Sequence, residues 1–277
     1  MRVLVTGATE RYGYAAARAL DDADVDVTAF VRDPDTPAAP ALAERGIDIV
    51  RGRRDQLDHV EDALVDADGV FLAVGTGSAR AATDQGETLV RAADRTDTPA
   101  VHASVLHADD RPGVRCVDVR ASVDADLSSR GVPHVSLRAG VPLDAFERAR
   151  DAVEAEGQLA FPLEGHARAA LTDPRDVGRA AAAVFTTAGG PSGADRLPVT
   201  SGTHSLYDVA DVLETVTGRD VRADPQPPTA APRSQTAFYR WVNEGALLGA
   251  ASDALADAYG VETAPIADYF ERTDWGE

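Results

Sequence analysis

The sequence predicts an α/β fold in which a doubly wound parallel sheet precedes a small C-terminal α/β lobe. Short β-branched runs alternate with longer helical segments through the first half of the chain, which is the rhythm of βαβ units. Runs such as Val-Leu-Val at 3–5 and Gly-Val-Phe-Leu-Ala-Val at 69–74 are apolar without alternation, as in strands that helices cover on both faces. The length of 277 residues fits a single domain, residues 1–277, with an appended lobe.

The alternation predicts six parallel strands before residue 140. The strands are predicted at residues 3–6, 26–31, 48–50, 70–73, 101–104 and 135–138. The connecting helices are predicted at residues 12–22, 40–45, 57–64, 82–95 and 119–129. Residues 1–140 are therefore expected to form the core of the fold, because each helical crossover returns the chain to the sheet in the same direction.

Residues 141–277 show a looser pattern and are expected to form the smaller lobe, which would contact a substrate or a partner. The segment Asp173-Pro174-Arg175-Asp176 has an N-cap residue, a proline at the first helical position and an acid in the first turn, so it predicts a helix at 174–186. Ser205-Leu206-Tyr207-Asp208 resembles a capping box with Asp in place of Glu and predicts another helix. Further helical segments are predicted at 234–248, 252–259 and 265–272.

The charge balance excludes several classes of partner and reaction. The chain carries 46 acidic against 27 basic residues, a formal net charge of −19, so it repels nucleic acid and anionic membrane surfaces. All 27 basic residues are arginine, which excludes Schiff-base chemistry and a Tyr-Lys catalytic pair. An acid excess without lysine predicts a halophilic protein, because molar salt shortens the Debye length to about 3 Å and screens the self-repulsion.

The remaining composition predicts a cytoplasmic protein without a metal site. Cys116 is the only cysteine, so no disulfide can form within the chain. The first apolar run is too short for a signal peptide, and no later one approaches a membrane span in length. His102, His107 and Asp109 lack a recognised metal-ligand spacing. We expect a monomer or a weak homo-oligomer that acts on a small molecule.

The segment from Val3 to Gly13 has the features of a dinucleotide-binding loop. It lies where the first strand turns into the first helix, so Gly7 would permit the tight turn and Gly13 the close packing of helix on strand. Free amides at the helix start, in Ala8-Thr9-Glu10-Arg11-Tyr12, would face the pyrophosphate. Arg32 ends the second strand, where a cation binds the 2′-phosphate of NADP, so NADP is favoured over NAD. The alternative is that Gly7 and Gly13 are turn glycines only and that Arg32 is a solvated strand end.

Five segments resemble the NmrA-like family, an atypical branch of the short-chain dehydrogenase superfamily. They are Thr-Gly-Ala-Thr at 6–9, Val-Arg-Asp-Pro at 31–34, Ser-Val-Leu-His-Ala-Asp at 104–109, Gly-Val-Pro-His-Val-Ser-Leu-Arg-Ala-Gly at 131–140 and Thr-Asp-Pro-Arg-Asp-Val at 172–177. The resemblance covers nearly the whole chain and implies a Rossmann-type fold in which residues 1–140 bind NADP(H). It also implies an NADPH-dependent reductase or isomerase, or a redox-sensing regulator that binds NADP without catalysis.

Two positions depart from the family pattern within the predicted cofactor site. Glu10 replaces a glycine, which places a carboxylate beside the pyrophosphate; the alternative is that Glu10 itself satisfies the positive end of the first helix. Arg53 replaces an aspartate that meets the adenine amine in the family. It can stack on adenine, add charge for the 2′-phosphate or remain a solvated surface residue. Ala73 and Val74, at the end of the fourth strand, complete the predicted cofactor-binding residues.

Catalytic candidates are few, because no tyrosine occurs between residues 15 and 206 and the Tyr-x-x-x-Lys acid is absent. Ser104 ends the fifth strand, where substrate and nicotinamide would meet, and His107, three residues on, is a nearby side chain of the type that exchanges protons near neutrality. Arg120 stands where the family often has a lysine, and it can orient a substrate or ribose but cannot deprotonate. The structural alternatives are a turn donor for Ser104 and a solvated loop residue for His107.

These residues predict an NADPH-dependent oxidoreductase acting on a small carbonyl or quinone, because the cofactor supplies the hydride and the chain supplies orientation and exclusion of water. The alternative is a non-catalytic NADP(H)-sensing regulator or a partner-binding scaffold. Glu10 and the missing catalytic pair favour that alternative, since both are expected of a chain that was never selected for turnover.

Overall fold

The computed structural model describes residues 1–75, 78–249, 251–273 and 275. The strands, in chain order, are β1 (Arg2–Thr6), β2 (Asp26–Val31), β3 (Asp48–Arg51), β4 (Gly69–Leu72), β5 (Ala100–Val105), β6 (His134–Ala139), β7 (Val141–Pro142), β8 (Gln158–Phe161), β9 (Arg168–Thr172), β10 (Ala194–Val199), β11 (Thr203–Ser205) and β12 (Arg222–Pro225). The helices are α1 (Arg11–Asp22), α2 (Ala38–Ala43), α3 (Leu57–Leu64), α4 (Ala79–Arg95), α5 (Arg115–Arg130), α6 (Arg150–Glu156), α7 (Pro174–Thr186), α8 (Leu206–Thr217), α9 (Thr236–Asn243), α10 (Asp253–Tyr259) and α11 (Ile266–Arg272). Short 3-10 segments are found at Ala108–Asp110, Leu143–Ala149 and Pro228–Ala230.

Seven parallel strands form the central sheet, in the order β10-β6-β5-β4-β1-β2-β3. The residues of β4 and β5 are buried throughout, because α1 and α7 pack on one face of the sheet while α3, α4 and α5 pack on the other. The prediction of a Rossmann-type doubly wound sheet is therefore confirmed. The strand order reverses between β1 and β4, which places a crevice at the carboxyl ends of these two strands.

The six strands predicted before residue 140 are confirmed, and β10, from the second half of the chain, adds a seventh that was not predicted. It pairs in parallel with β6, in a register that runs from Ala194 opposite His134 to Val199 opposite Ala139. Its sequence, Ala-Asp-Arg-Leu-Pro-Val, contains residue types that are depleted in strands. The strand lies at the edge of the sheet, where a proline, which lacks an amide hydrogen, is tolerated.

The predicted helix caps are confirmed at both positions. The Asp173 side chain accepts a hydrogen bond from the Arg175 amide at 2.9 Å, and α7 begins with proline. Ser205 and Asp208 form a reciprocal capping box, with distances of 3.2 and 2.8 Å. The helix predicted at 234–248 is shorter in the structure. It ends at Asn243 before Gly245, whose positive φ of 83° cannot continue a helix.

The smaller lobe begins directly after β6, since only Gly140 separates that strand from β7. It contains a sheet of order β11-β9-β7 and the strand pair β12-β8. Its core includes the buried side chains of Phe146, Phe161, Phe270 and Trp275, and the first two rings stack with their centroids 4.0 Å apart. Because the lobe grows from the carboxyl end of β6, it lies beside the crevice of the central sheet.

Candidate cofactor site and adjoining active site

The loop between β1 and α1 has the geometry that its glycines predict. Gly7 adopts a positive φ of 64°, and its carbonyl accepts a hydrogen bond from the Glu10 amide at 2.8 Å. A Cβ atom at Gly13 would lie 2.2 Å from the Gly7 carbonyl oxygen, so only glycine lets the helix approach the loop this closely. The turn and the close packing that we predicted for these two glycines are confirmed.

The N-terminus of α1 is open toward this loop. Glu10 occupies the N-cap position in an extended conformation, but its side chain makes no capping hydrogen bond. The amides of Arg11, Tyr12 and Gly13 stand in the first turn, where no acceptor exists within the helix itself. The alternative that Glu10 satisfies the helix terminus is therefore wrong, and the amides remain available to an anionic ligand.

The Glu10 carboxylate instead pairs with the guanidinium of Arg54. Arg54 also donates from Nη1 to the Ala73 carbonyl oxygen at 2.7 Å, and its side chain is only 14% exposed, against 41% for Glu10. A Cβ atom at Gly7 would lie 2.9 Å from Arg54 Nη1, so the guanidinium packs directly on the glycine turn. The Arg54 guanidinium, which comes from the segment after β3, thus neutralises the negative charge that Glu10 brings to the loop.

Arg32 and Arg53 occupy different places around the loop. Arg32 is exposed and lines a small cavity of about 50 Å³, together with Gly7, Thr9 and Arg54. Arg53 points away to the surface, where its side chain is 57% exposed and pairs with Asp55 at 2.7 Å. Of the two arginines after β3, the structure therefore directs Arg54, and not Arg53, into the candidate cofactor site.

Ala73 and Val74, which follow β4, are buried beneath the crevice. Together with Arg120 of α5, they line a cavity of about 300 Å³. At its edge Arg11 pairs with Asp144, with Nε 2.5 Å from Oδ1. Because Asp144 belongs to the smaller lobe, this ion pair ties the loop after β1 to that lobe.

A further cavity of about 220 Å³ lies between the carboxyl end of the sheet and the smaller lobe. Ser104 of β5 and Arg120 of α5 line it from the core, and Tyr239 of α9 lines it from the lobe. We call it the inner cavity. It adjoins the cavity beneath the crevice, since Tyr12 and Arg120 line both. A ligand that extends from the α1 terminus along the crevice would therefore reach Ser104.

Ser104 also belongs to a buried polar cluster centred on Asp124. Its hydroxyl donates to Asp124 Oδ2 at 3.0 Å, while Ser136 donates to Oδ1 at 2.7 Å and His102 Nδ1 lies 2.6 Å from the same oxygen. Arg138 Nη2 donates to Oδ2 at 3.4 Å. Burial acts to raise the pKa of the Asp124 carboxyl, but these contacts outweigh it and hold the pKa well below its usual range. The Ser104 hydroxyl thus donates its hydrogen to the Asp124 carboxylate. Its oxygen can accept a hydrogen bond from a ligand in the inner cavity.

His107 does not line either cavity. It adopts a left-handed conformation with φ of 55°, and its Nε2 lies 3.1 Å from the Leu248 carbonyl oxygen. Its Nδ1 is 3.7 Å from Asp110 Oδ2. Of the three predicted catalytic residues, the structure brings Ser104 and Arg120 to one cavity and leaves His107 in a surface turn.

The described residues contain neither a metal-binding group of side chains nor a membrane-spanning helix. No group of three His, Cys, Asp or Glu side chains in residues 1–75, 78–249, 251–273 and 275 is arranged to hold a metal ion. Within that same part of the chain, no helix is long and apolar enough to cross a lipid bilayer.

Comparison with known proteins assigns the chain to a family. The model of the NmrA-like family matches residues 1–235. The chain belongs to the NmrA-like family. Comparison with curated protein sequences gives no significant match.

Solved structures share the fold of this NmrA-like protein at low sequence identity. The Citrobacter sp. triphenylmethane reductase complexed with NADP(H) has a TM-score of 0.82 at 20% identity, with 98% of this chain and 99% of that chain covered. The Escherichia coli NADPH-dependent quinone oxidoreductase complexed with NADPH has a TM-score of 0.82 at 21% identity, with 99% of both chains covered. The leucoanthocyanidin reductase–NADPH complex from Vitis vinifera has a TM-score of 0.77 at 17% identity, with 99% of both covered.

Arg54 and Tyr239 are among the residues of this NmrA-like chain that line the candidate site and were not predicted from the sequence. Arg54 follows Arg53 directly, and nothing in the segment Gly-Arg-Arg-Asp indicates which side chain turns inward. Tyr239 comes from a helix far along the chain and has no local signal. Burial raises the pKa of Tyr12 and of Tyr239 to about 12, so both hydroxyls keep their protons near neutral pH.

Proposed function

We propose that this protein is an NADPH-dependent reductase of a small carbonyl or quinone. One observation carries the proposal: the open amides of α1 and the inner cavity with Ser104 and Arg120 form one continuous crevice at the strand-order reversal. The triphenylmethane reductase and the quinone oxidoreductase, which bind NADP(H) and NADPH, support it because their folds extend over the whole length of this chain.

The residues present fit NADPH. The glycine turn and the uncapped first turn of α1 offer amides to a pyrophosphate, and Arg54 neutralises the carboxylate of Glu10. Arg32 is exposed beside the small cavity, as a 2′-phosphate requires. The proposed cofactor-binding residues are those of the loop from Gly7 to Gly13 together with Arg32, Arg54, Ala73 and Val74.

Each proposed catalytic contribution comes from a residue that lines the inner cavity. NADPH supplies the hydride when it is bound. Arg120 donates from Nη1 to the Cys116 carbonyl oxygen at 2.7 Å, which holds the guanidinium in place to donate its remaining hydrogens to a substrate oxygen or a ribose. Ser104 accepts a hydrogen bond, since its own proton is donated to Asp124. Residues of the smaller lobe, Tyr239 among them, also line the cavity and would limit the access of water to a bound substrate.

The first prediction concerns cofactor preference. NADPH should bind about ten-fold more tightly than NADH, and Arg32→Ala should remove most of that preference, because only NADPH has a 2′-phosphate for the guanidinium. Calorimetric titration with both cofactors measures it, with Arg51→Ala at the end of the adjacent strand as the matched loss of one charge. Equal affinities for NADPH and NADH in the unmodified protein would contradict the assignment.

Turnover separates the reductase from a regulator that only binds NADP(H). NADPH oxidation is followed with quinones and with aldehydes as acceptors. Oxidation that depends on an acceptor supports the reductase. Tight NADPH binding without oxidation in any acceptor series would instead favour the non-catalytic regulator, for which the missing Tyr-x-x-x-Lys acid is the supporting observation.

The second prediction concerns the source of the proton. Tyr239→Phe should lower the rate of aldehyde reduction more than the rate of quinone reduction. Hydride addition to a quinone gives a stabilised anion that needs no acid, whereas the alkoxide formed from an aldehyde requires a proton. The ratio of the two turnover rates, measured for the variant and for the unmodified protein, is the test. An equal loss with both acceptors would mean that Tyr239 positions the substrate and does not supply a proton.

The setting of the reaction is proposed from composition. The net charge of −19 and the absence of lysine support a protein of a salt-rich cytoplasm that acts on a small molecule and not on nucleic acid. Binding experiments are therefore best performed in molar KCl, with lower salt as a second condition.

A further inference from the structure

The charged side chains that line the inner cavity are positive, although the chain as a whole is strongly negative. Four arginines line it, Arg11, Arg115, Arg120 and Arg148, and its lining within the described part of the chain includes no aspartate or glutamate. The chain as a whole has 46 acids and 27 arginines. The positive charge is therefore a local feature of this cavity and is opposite to the field of the protein as a whole.

Two of these arginines, Arg120 and Arg148, are held by neutral groups. Arg11 pairs with Asp144, but for Arg115, Arg120 and Arg148 the described residues provide no carboxylate within ion-pair distance. Arg120 donates to the Cys116 carbonyl oxygen at 2.7 Å, and Arg148 donates to Gln235 Oε1 at 3.1 Å. In the described part of the chain these three guanidiniums therefore have no carboxylate in direct contact, which favours an anion as the occupant of this space.

The rest of the cavity wall is apolar. Val105, Val117, Ala145 and Phe238 contribute to the lining beside the ring of Tyr239. Apolar side chains with a few convergent charged groups form the usual lining of a small-molecule site. A ligand that fits both parts has an apolar ring or chain and a negatively charged group at one end.

The arginines differ in which of the two cavities they line. Arg120 lines both the inner cavity and the cavity beneath the crevice, whereas Arg115 and Arg148 line the inner cavity alone. Arg115 comes from α5 and Arg148 from the smaller lobe, and both are exposed, which places them at the mouth of the cavity. An anion placed between them lies on the substrate side and not along the pyrophosphate.

We propose that the substrate of this site is an anionic carbonyl compound or quinone, with a carboxylate that Arg115 and Arg148 bind at the mouth of the inner cavity. The apolar body of the substrate lies against Val105 and Phe238, and its carbonyl oxygen is directed toward Arg120 and Ser104. The inference names the substrate class of the reductase site and so rests on the proposed function.

Calorimetric binding without turnover tests the inference. The probes are 4-carboxybenzaldehyde and its methyl ester, which share the ring and the aldehyde and differ in charge, titrated into the protein without cofactor and with NADP⁺. The carboxylate should bind about ten-fold more tightly than the ester. Arg148→Ala and Arg115→Ala should each remove most of this difference, while Arg219→Ala, an exposed arginine after α8, provides the matched loss of one charge and should retain it.

NADPH affinity is measured for the same variants. An unchanged NADPH affinity together with a lost preference for the carboxylate supports the inference. Equal binding of acid and ester by the unmodified protein would overturn it, as would a fall in NADPH affinity that matches the loss of carboxylate binding, since the arginines would then serve the cofactor. Carboxylate preference together with no NADPH oxidation in any acceptor series would contradict the reductase and leave the anion site intact, so the two failures are distinguishable.

Discussion

Replacing Arg54 with alanine lowers the affinity for NADPH by a factor between about five and several hundred. The substitution leaves the Glu10 carboxylate beside the pyrophosphate without the guanidinium that now neutralises it. A carboxylate about 4 Å from a phosphate costs roughly 1 to 4 kcal/mol between bulk-water and surface-like dielectric constants. Calorimetric titration of both proteins with NADPH measures the loss, which should be larger at low salt because screening weakens the repulsion in molar KCl.

A double-mutant cycle with Glu10 identifies the cause of that loss. Glu10→Gly alone should tighten NADPH binding, because it removes the carboxylate and frees the Arg54 guanidinium for the phosphates. Once Glu10 is glycine, the loss caused by Arg54→Ala reports only the direct contact between Arg54 and the cofactor, and it should be smaller. Weaker binding by the Glu10→Gly protein would mean that the carboxylate does not approach the pyrophosphate, or that this loop binds no dinucleotide.

Replacing Asp124 with alanine destabilises the protein by about 3 to 5 kcal/mol at neutral pH, because it removes the buried carboxylate that faces His102, Ser104, Ser136 and Arg138. The guanidinium of Arg138 keeps its bidentate contact with Asp109, at 2.8 and 3.0 Å, but its second carboxylate is lost. Urea unfolding at constant salt measures the change. Asp126→Ala, two residues further along the same helix and partly exposed, is the matched control and should change the free energy of unfolding by less than about 1 kcal/mol.

The same carboxylate predicts a dependence of stability on acid pH. Since the contacts of Asp124 lower its pKa in the folded protein, its contribution is present above the unfolded-state pKa of about 3.9. That contribution is lost as pH falls toward the folded-state pKa. The unfolding free energies of the unmodified protein and of Asp124→Ala should therefore converge below about pH 4. A constant difference between them down to the acid limit of the folded state would contradict this assignment.

Local patterns in the sequence were sufficient for the elements that depend on neighbouring residues. The apolar runs at β1 and β4 predicted strands buried on both faces, because burial on both sides leaves no polar position to alternate. Gly7, Gly13 and the two helix caps were also predictable, because a turn or a cap is formed by residues that lie a few positions apart. The strand β10 was missed because its composition is that of a loop and only its pairing with β6 makes it a strand.

The amino-acid sequence by itself determined the Rossmann-type sheet, the dinucleotide-type loop and the acidic, lysine-free character of this NmrA-like chain. The tertiary structure alone decided which of Arg53 and Arg54 enters the site, because Asp55 at the surface pairs with one and Glu10 across the loop pairs with the other. It also decided that Ser104 donates its proton to Asp124 and that Tyr239 and Arg148 face the inner cavity. Glu10 and Arg54 lie 44 residues apart in the chain, and Ser104 and Asp124 lie 20 apart. The geometry of these contacts follows from how the helices and the lobe pack on the sheet, which no local spacing encodes.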